Sequence, residues 1–406
     1  MHILVLEAYD GGSHGQVLDG LVRHSRHRFT RVSLPARKWK WRMRGSALYF
    51  SQRLGGERVV DETGGQREAV LGDIDVVFTS DMTAAADLRS LLPKRLREKP
   101  LVVYFHENQL TYPLSDESER DYQYGFTNLT SCLAADAVWF NSRYHLEEFV
   151  AGAESLLGKM PDFVPPGLVE AVRRRAVVMS PGLQADLFAG KVESQSCDPP
   201  TGDTYPSGGQ GGSTGAPPPP PQRASSPTIL WNHRWEYDKN PEEFFEVLFA
   251  LQEAGLGFRV LVAGETFRTA PPIFAEARDR LAGQIDHFGF VRDRRAYLDL
   301  LGRANVSVST AIHEFFGLSV LEAVAAGCYP LLPDRLSYPE LIPRELHESH
   351  LYHGREDLQR RLERFCREGV PVVSGTLRES VQARAWPRVV EEYDRAFDEV
   401  AAGVGA

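Results

Sequence analysis

Two glutamates, Glu314 and Glu322, have the residue type and spacing that most directly suggest chemistry in this sequence. They lie within residues 311–327, where Gly317 frees a turn from side-chain bulk and apolar residues recur at helical spacing from Leu318 onwards. This stretch predicts a loop that opens into a core-facing helix. The two glutamates are eight residues apart. At about 100° per residue, this spacing places the two carboxylates about 80° from a whole number of helical turns, so both can face one cleft. Two solvated glutamates on an amphipathic helix are the alternative interpretation of the spacing alone.

Two cations, Arg234 and Lys239, follow a predicted strand and precede a helix that Pro241 is expected to begin. Arg and Lys at this spacing, after a strand and before a helix, resemble the diphosphate clamp of transferases that use sugar nucleotides. The leaving group of such a donor is a nucleoside diphosphate, and the negative charge that develops on it needs fixed cations or a metal. A solvated pair in a loop is the alternative. The Asp-x-Asp pair Asp73 and Asp75 begins a strand and is interpreted as a cap. We expect no metal site and no resident cofactor.

Short β-rich segments alternate with helical patterns along the chain. Strands are predicted at residues 2–6, 29–34, 74–80, 101–105 and 137–141, and again at 228–231, 258–263, 286–291 and 306–310. Such alternation is typical of the α/β class, with parallel strands in doubly wound sheets whose ligands lie at the C-terminal strand ends. We predict two Rossmann-like doubly wound domains that face a central cleft.

A segment rich in small and polar residues separates the two predicted domains. From residue 197 to 227, 22 of 31 residues are Gly, Pro, Ser or Thr. The segment lacks the apolar side chains that would offset its ordering entropy, so it is predicted to be a disordered linker or insertion. The resulting division is an N-terminal domain at 1–188, the linker at 189–227, a C-terminal domain at 228–385, and a helix at 386–406 that crosses back to the first domain.

Two loops at strand ends in the first half carry further candidate site residues. Gly11 and Gly12 follow the first strand and open a helix, where backbone N–H groups could bind a phosphate at the positive end of the helix dipole. An ordinary tight turn is the alternative. His106 follows another strand and could contact a donor sugar or a reacting hydroxyl, unless it is a structural loop histidine.

The distribution of charge suggests a nucleic-acid partner even though the formal net charge is -9. Between Gly20 and Gly56 there is no Asp or Glu, whereas ten Lys and Arg residues occur there. Within this region, cations and indoles alternate in Arg37, Lys38, Trp39, Lys40, Trp41 and Arg42. These side chains could contact phosphates and stack on unpaired bases, which predicts an acceptor-binding face for RNA. A basic loop with its tryptophans folded into the core and a surface for acidic lipids are the alternatives.

The sequence pattern predicts neither a transmembrane helix nor a signal peptide. Apolar runs stay below the roughly 18 residues that a transmembrane helix needs, and the N-terminal segment has the pattern of a strand rather than a signal peptide. We expect a cytoplasmic protein without a membrane span. The sequence pattern does not indicate whether the protein is a monomer or an oligomer.

The motifs resemble known glycosyltransferases. The Glu-x7-Glu element with its following small residues resembles retaining two-domain glycosyltransferases of the family-4 type, which have the GT-B fold. Residues 228 to about 385 look like the nucleotide-sugar domain of that fold. The N-terminal half, through MHILVLEAYDGGSHGQ, ARKWKWRMRG, VYFHENQLTYP and WFNSRYHLEEF, resembles the tRNA-queuosine α-mannosyltransferase family over most of residues 1 to about 188.

The resemblance implies GDP-mannose as the donor, the cyclopentenediol of queuosine in a tRNA anticodon as the acceptor, and retention at the anomeric carbon. It implies that Glu322 holds the nucleotide ribose, that Glu314 holds sugar hydroxyls, and that the two cations hold the diphosphate. The candidate catalytic residues are then Glu314, His106, Arg234 and Lys239. The candidate donor-binding residues are Gly11, Gly12, Arg234, Lys239, Gly264, Glu314, Phe316, Gly317, Leu318 and Glu322.

Three hypotheses of different kinds are compatible with these patterns. The first is a tRNA-directed mannosyltransferase, and the second is a glycosyltransferase acting on a lipid, a glycan or a small molecule. The third is a non-catalytic RNA-binding protein on a GT-B scaffold. The intact set of Arg234, Lys239, Glu314 and Glu322 disfavours the third, and the acid-free basic segment favours the first over the second.

Overall fold

The structure is a computed structural model, and it describes residues 1–55, 58–59, 69–70, 73–113, 120–188, 226–265 and 270–403. The predicted linker at 189–227 lies outside the described residues except for its last two positions. One six-stranded sheet precedes that segment in the chain and a second follows it.

The first sheet is parallel. The strands of the N-terminal half are β1 (His2–Asp10), β2 (Arg28–Pro35), β3 (Arg58–Val59), β4 (Ala69–Val70), β5 (Val76–Ser80), β6 (Leu101–Phe105), β7 (Ala137–Phe140) and β8 (Ala176–Val178). Six of them form the sheet in the order β2-β1-β5-β6-β7-β8, and β3 pairs with β4 in antiparallel fashion. The central strands β5, β6 and β7 are buried at every position, because helices cover both faces of such a sheet.

Helices connect the strands of this half. They are α1 (Gly12–His24), α2 (Trp39–Leu54), α3 (Ala85–Leu91), α4 (Lys94–Arg97), α5 (Tyr122–Ala134), α6 (Arg143–Leu157) and α7 (Leu168–Arg175). Sequence analysis assigned no element to the basic segment that begins at Arg37. The structure shows that most of this segment is the first turns of α2.

The second sheet is also parallel. Its strands are β9 (Thr228–Trp231), β10 (Arg259–Ala263), β11 (Ile285–Gly289), β12 (Val306–Val308), β13 (Tyr329–Pro333) and β14 (Leu351–Tyr352), in the order β11-β10-β9-β12-β13-β14. The helices are α8 (Pro241–Glu253), α9 (Ile273–Arg280), α10 (Arg294–Arg303), α11 (Leu318–Ala325), α12 (Tyr338–Leu341), α13 (His347–His350), α14 (Arg355–Glu368), α15 (Gly375–Gln382) and α16 (Trp386–Ala401). The predicted α/β class with two doubly wound sheets is therefore confirmed.

The strand order of each sheet reverses beside its first strand. In the first sheet β1 lies between β2 and β5, and in the second β9 lies between β10 and β12. Ligands of doubly wound sheets bind in the crevice at the C-terminal ends of the strands where the order reverses. Glu7 and Asp81 lie at the first crevice, and Lys239 and Glu314 lie at the second.

The last helix, α16, packs on the first sheet although it follows the second in the chain. Trp386, Tyr393 and Phe397 join the apolar cluster that contains residues of β1, β5 and β6. The Trp386 ring lies so close to Gly20 of α1 that a Cβ at that glycine would be 1.9 Å from the indole. Glycine at position 20 therefore makes room for the tryptophan that anchors α16.

Direct contacts join the two halves beside the cleft. Ser142 Oγ donates to the carbonyl of Phe315 at 2.5 Å. The Glu340 carboxylate accepts from the backbone N–H groups of Arg143 at 3.0 Å and Tyr144 at 2.5 Å. These N–H groups begin α6, so a carboxylate of the second half caps a helix of the first, where the helix dipole favours negative charge.

Candidate active site

The structure brings Lys239 and Glu314 into contact. Lys239 ends a 3-10 turn (Tyr237–Lys239) after β9, and Glu314 lies between β12 and α11. The Lys239 Nζ lies 3.3 Å from Glu314 Oε2 and 3.1 Å from Asp238 Oδ2, and it donates to the carbonyl of His313 at 2.7 Å. Because Lys239 is only 5% exposed, its ammonium is a buried cation between two carboxylates.

Backbone contacts fix the two loops that carry this pair. Thr310 Oγ1 donates to the carbonyls of Lys239 and Asn240, in each case at 2.9 Å. The Ile312 N–H donates to the Asp238 carbonyl at 2.9 Å. The loop after β12 is therefore tied to the loop after β9, which sets the position of the ammonium relative to the glutamate.

A left-handed glycine orients the Glu314 side chain. Gly317 has a φ of 92°, in the region that disfavours other residues, and it precedes α11. Its N–H donates to Glu314 Oε1 at 3.1 Å, and the N–H of Phe316 donates to the same oxygen at 3.4 Å. One carboxylate oxygen is thus held by backbone donors and the other by Lys239.

These contacts decide the ionisation of the site. Burial alone would raise the pKa of Glu314, but the Lys239 ammonium, the nearby His233 and the Phe316 N–H lower it to about 2. Burial and the charge of Lys239 lower the pKa values of His233 and His313 to about 4. At neutral pH the site therefore holds an ionised glutamate, a lysine and two neutral imidazoles.

Arg234 reaches the opposite domain instead of Glu314. Its Nη2 donates to the Tyr112 hydroxyl at 3.3 Å, and its Nη1 lies 3.4 Å from Glu236. The Tyr112 ring packs edge-on against His313, with 4.7 Å between ring centroids. Tyr112 was not among the predicted residues, and it connects the predicted clamp to the first domain.

Glu322 has different partners from Glu314. Its Oε1 accepts from Arg294 Nη1 at 2.9 Å and its Oε2 accepts from the Tyr297 hydroxyl at 3.1 Å. Burial raises its pKa, and Arg294 opposes that effect. Each carboxylate oxygen can accept a second hydrogen bond, so these contacts leave capacity for ligand hydroxyls.

Several predicted donor-binding positions also have a structural reason for their residue type. A Cβ at Gly11 would lie 2.6 Å from Ala36 Cβ, and a Cβ at Gly264 would lie 1.9 Å from the His233 carbonyl oxygen. Gly12 has a φ of 54°. The Phe316 side chain belongs to the core of the second domain, where the partly buried Leu318 packs against it. A contact from any of these five residues to a donor stays a prediction.

His106 lies in a buried cluster at the C-terminal edge of the first sheet. Its N–H donates to Asp81 Oδ1 at 2.9 Å, and its ring stacks on His14 with 3.8 Å between centroids. His14 in turn lies 3.3 Å from Glu7 Oε1. Asp81, His14 and Glu7 were not among the predicted site residues. A usable signal was present, because Asp81 directly follows β5, and Glu7 and His14 lie within four residues of the end of β1, where ligands of such sheets bind.

The basic segment 37–44 lies at the same edge. Close packing of Gly11 on Ala36 sets the beginning of α2 against the loop after β1. Trp41 is 63% exposed, whereas the Trp39 ring packs on Tyr124 with 5.1 Å between centroids. One indole is therefore free to stack on a ligand, and the other is partly used in packing, as the alternative interpretation had anticipated for both.

The cations of this region divide into two groups. Arg26 pairs with Asp398, and Arg31 pairs with Asp10 and Asp19. Over the described residues no salt bridge involves the cations of the basic segment, which are Arg37, Lys38, Lys40, Arg42 and Arg44. The positive charge of the basic segment is therefore available to a ligand at the edge of the cleft.

The described part of the chain shows neither a metal-ligand cluster nor a membrane-spanning helix. No cluster of three or more His, Cys, Asp or Glu side chains there could hold a metal ion. None of the helices described is both long enough and apolar enough to cross a bilayer.

Comparison with known proteins defines first the class and then the family. Residues 218–369 match the family model of group 1 glycosyl transferases. Sucrose-phosphate synthase from Thermosynechococcus elongatus superimposes with a TM-score of 0.65 at 14% identity, covering 99% of each chain. An Anabaena protein solved with UDP and glucose gives a TM-score of 0.61 at 11% identity, covering 98% of this chain and 100% of that one. The chain is a glycosyltransferase with the GT-B fold.

Residues 2–183 match the family model of the tRNA-queuosine alpha-mannosyltransferase N-terminal region. The chain is also 34% identical over 367 residues to the tRNA-queuosine alpha-mannosyltransferase of Drosophila melanogaster, covering 90% of this chain and 87% of that protein. It therefore belongs to the tRNA-queuosine alpha-mannosyltransferase family. A shorter match of 122 residues, also 34% identical, is to a GDP-mannose-dependent alpha-(1-6)-phosphatidylinositol dimannoside mannosyltransferase of Mycobacterium tuberculosis, covering 29% of this chain and 31% of that one.

Proposed function

We propose that this enzyme transfers mannose from GDP-mannose to the cyclopentenediol of queuosine in tRNA, with retention at the anomeric carbon. The observation that carries the proposal is the position of the basic segment 37–44. Its cations lack carboxylate partners among the described residues and lie at the cleft edge, in a chain that aligns over most of its length with a tRNA-queuosine alpha-mannosyltransferase.

The second domain would bind the donor. Lys239 and Arg234 would stabilise the negative charge that develops on the departing diphosphate, because cations fixed in a desolvated site need no reorganisation as the charge appears. Glu314, ionised and held by two backbone donors, would accept hydrogen bonds from sugar hydroxyls. Glu322 would accept from the nucleotide ribose. We propose that these charges suffice and that no resident metal or cofactor is required.

The choice of GDP-mannose as the donor rests on two related proteins. The mycobacterial relative is GDP-mannose-dependent, and the insect relative is a mannosyltransferase. Since an α-linked sugar nucleotide gives an α-linked product only when the anomeric configuration is kept, retention accompanies this choice.

The first domain would bind the acceptor. Phosphates of the anticodon arm would contact the cations at the start of α2, and the exposed Trp41 would stack on an unpaired base. His106, at the C-terminal edge of the same sheet, would face the reacting hydroxyls. A tRNA acceptor also suggests that the enzyme acts in the cytoplasm.

The direct test is to incubate the purified protein with GDP-mannose and queuosine-containing tRNA, and then to analyse nucleosides by mass spectrometry. We expect queuosine to gain one hexose. Matched controls are the same tRNA lacking queuosine and a reaction with UDP-glucose. Transfer to tRNA without queuosine, or equal transfer from UDP-glucose, would contradict the assigned acceptor or donor respectively.

A further inference from the structure

We propose that His14, held by Glu7, is a positioning residue that keeps the His106 imidazole oriented and uncharged beside the reacting sugar. The role of His106 in that statement rests on the proposed function. The claim about His14 and Glu7 is a claim about the free protein, and it can be measured without substrate.

The cluster is packed from three strand ends and one helix. Glu7 lies in the buried part of β1, and its Oε1 accepts from the Tyr9 N–H at 2.7 Å and from Ser80 Oγ at 2.9 Å. His14 Nδ1 lies 3.3 Å from the same oxygen. The His14 and His106 rings are stacked with an interplanar angle of 27°. A fixed carboxylate therefore holds one imidazole, and that imidazole supports the second.

Burial makes these contacts strong. Glu7, His14 and His106 are 1%, 5% and 8% exposed. Charges interact more strongly there than at the surface, because little water screens them. Removing the Glu7 charge would leave an imidazolium without a counter-charge in an apolar setting, which is unfavourable.

The pKa directions follow from this geometry. Burial lowers the pKa of His14, but the Glu7 carboxylate outweighs burial and raises it to about 9. Burial, together with the charges of His14 and His145, holds the pKa of His106 well below 6.5. At neutral pH the stacked pair therefore consists of an imidazolium above a neutral imidazole.

Other titratable groups face the two rings. They are Tyr9 of β1, Tyr104 of β6, Asp81 after β5, Glu107 in the loop of His106, and His145 of α6. Burial raises the pKa of Asp81 to about 8, so this carboxyl adds little negative charge beside His106 at neutral pH. His14 is then the charged group in stacking contact with His106, and its charge disfavours a second proton there.

A neutral His106 suits glycosyl transfer for two reasons. One ring nitrogen of a neutral imidazole donates and the other accepts, so it can orient a hydroxyl group in either sense. In addition, transition states of glycosyl transfer carry positive charge near the anomeric carbon, as in glycoside hydrolysis. A protonated His106 would oppose that charge. The ion pair of His14 and Glu7 would prevent protonation of His106 across the physiological pH range.

The first test uses Glu7→Gln, which keeps the shape of the side chain and its oxygen acceptor but removes the charge. Burial should then dominate at His14, whose pKa falls, and the pKa of His106 should rise by about one unit or more. NMR titration of histidine-labelled protein measures both values. His24→Gln, near the far end of α1, is the matched control and should change neither.

The second test follows kcat against pH with GDP-mannose and queuosine-containing tRNA. The unaltered protein should show no loss of kcat attributable to His106 between pH 8 and pH 6. In Glu7→Gln, kcat at pH 6 should fall about fourfold below its value at pH 8 if the pKa of His106 reaches 6.5. KM for the donor should change little, because the donor-binding side chains are untouched.

A third variant tests the same proposal in case Glu7→Gln does not fold. The double variant Glu7→Gln/His14→Phe replaces the ion pair with a neutral amide and a stacked ring, and it should give the same rise in the pKa of His106. An unchanged pKa of His106 in the folded variants would overturn the proposal, even if mannosyl transfer is confirmed. Conversely, a raised pKa would support it whether or not queuosine proves to be the acceptor.

Discussion

Substitution of Lys239 by Met would test the buried ion pair of the candidate active site. The change keeps most of the side-chain volume and removes the ammonium that lies between Asp238 and Glu314. Both carboxylates then remain in a desolvated site without their common cation. The proposed role of Lys239 in stabilising the departing diphosphate predicts loss of activity from this change, and the burial of Lys239 predicts loss of stability as well.

The loss in free energy of unfolding caused by Lys239→Met follows from two separate arguments. Removing one partner of a buried ion pair typically costs about 3 to 5 kcal/mol. Independently, lowering the pKa of Glu314 from 4.5 to about 2 corresponds to about 3 kcal/mol of stability at neutral pH. Because the folded pKa lies below the unfolded one, this stability is present above about pH 4.5 and is lost as the pH falls towards 2. Lys239→Met should remove most of it, because the ammonium is the largest of the influences that lower this pKa.

A double-mutant cycle with Glu314→Gln measures the coupling directly. Urea unfolding at pH 7 should show that Lys239→Met loses about 3 kcal/mol, and that the double variant loses less than the two single variants together. Lys94→Met, which removes an exposed cation from a surface pair with Glu98, is the control and should cost less than about 1 kcal/mol. Additive losses, within about 0.5 kcal/mol, would refute the argument that the two charges stabilise each other.

Four further outcomes are expected. Replacing the four cations Arg37, Lys38, Lys40 and Arg42 with Ala should lower tRNA affinity and flatten its dependence on salt in mobility-shift titrations, because fewer counterions are released. Trp41→Ala should weaken tRNA binding without lowering the melting temperature, whereas Trp39→Ala should lower both, since only Trp39 packs on Tyr124. Glu340→Ala should raise the KM of the donor by loosening the contact between the domains, and unchanged kinetics would exclude that role for the contact. Deletion of residues 201–223 should leave folding and activity intact, and insoluble or inactive protein would contradict the prediction of a linker.

Local sequence determined much of the fold. The strand β9 occurs at the predicted residues, and α16 begins at the predicted Trp386. A short apolar run between polar segments is typical of a strand in a sheet covered on both faces, and a long amphipathic period is typical of a helix. The contact of Lys239 with Glu314 was not predicted, although both residues were predicted to follow strands of one parallel sheet.

Helix α2 shows where local pattern was insufficient. Its first turn contains no acidic residue, its N-terminal neighbour Lys38 has a left-handed φ of 57°, and no side chain caps it. These features oppose the usual signals for the start of a helix. The helix forms because Met43, Ala47 and Phe50 are buried against the first sheet and its neighbouring helices, which is a tertiary effect.

The composition of the site was decided by contacts between distant parts of the chain. The Arg234 guanidinium meets Tyr112, and Glu340 meets the start of α6, across sequence separations of 122 and 197 residues. His14 and His106 stack because β1 and β6 end at the same edge of one sheet. The sequence by itself therefore determined many of the elements and the residue types at their ends, through local periodicity and turn chemistry, whereas α2 depended on tertiary contacts. Only the tertiary structure decided which of those ends meet, because strand order and domain closure depend on packing that no local segment encodes.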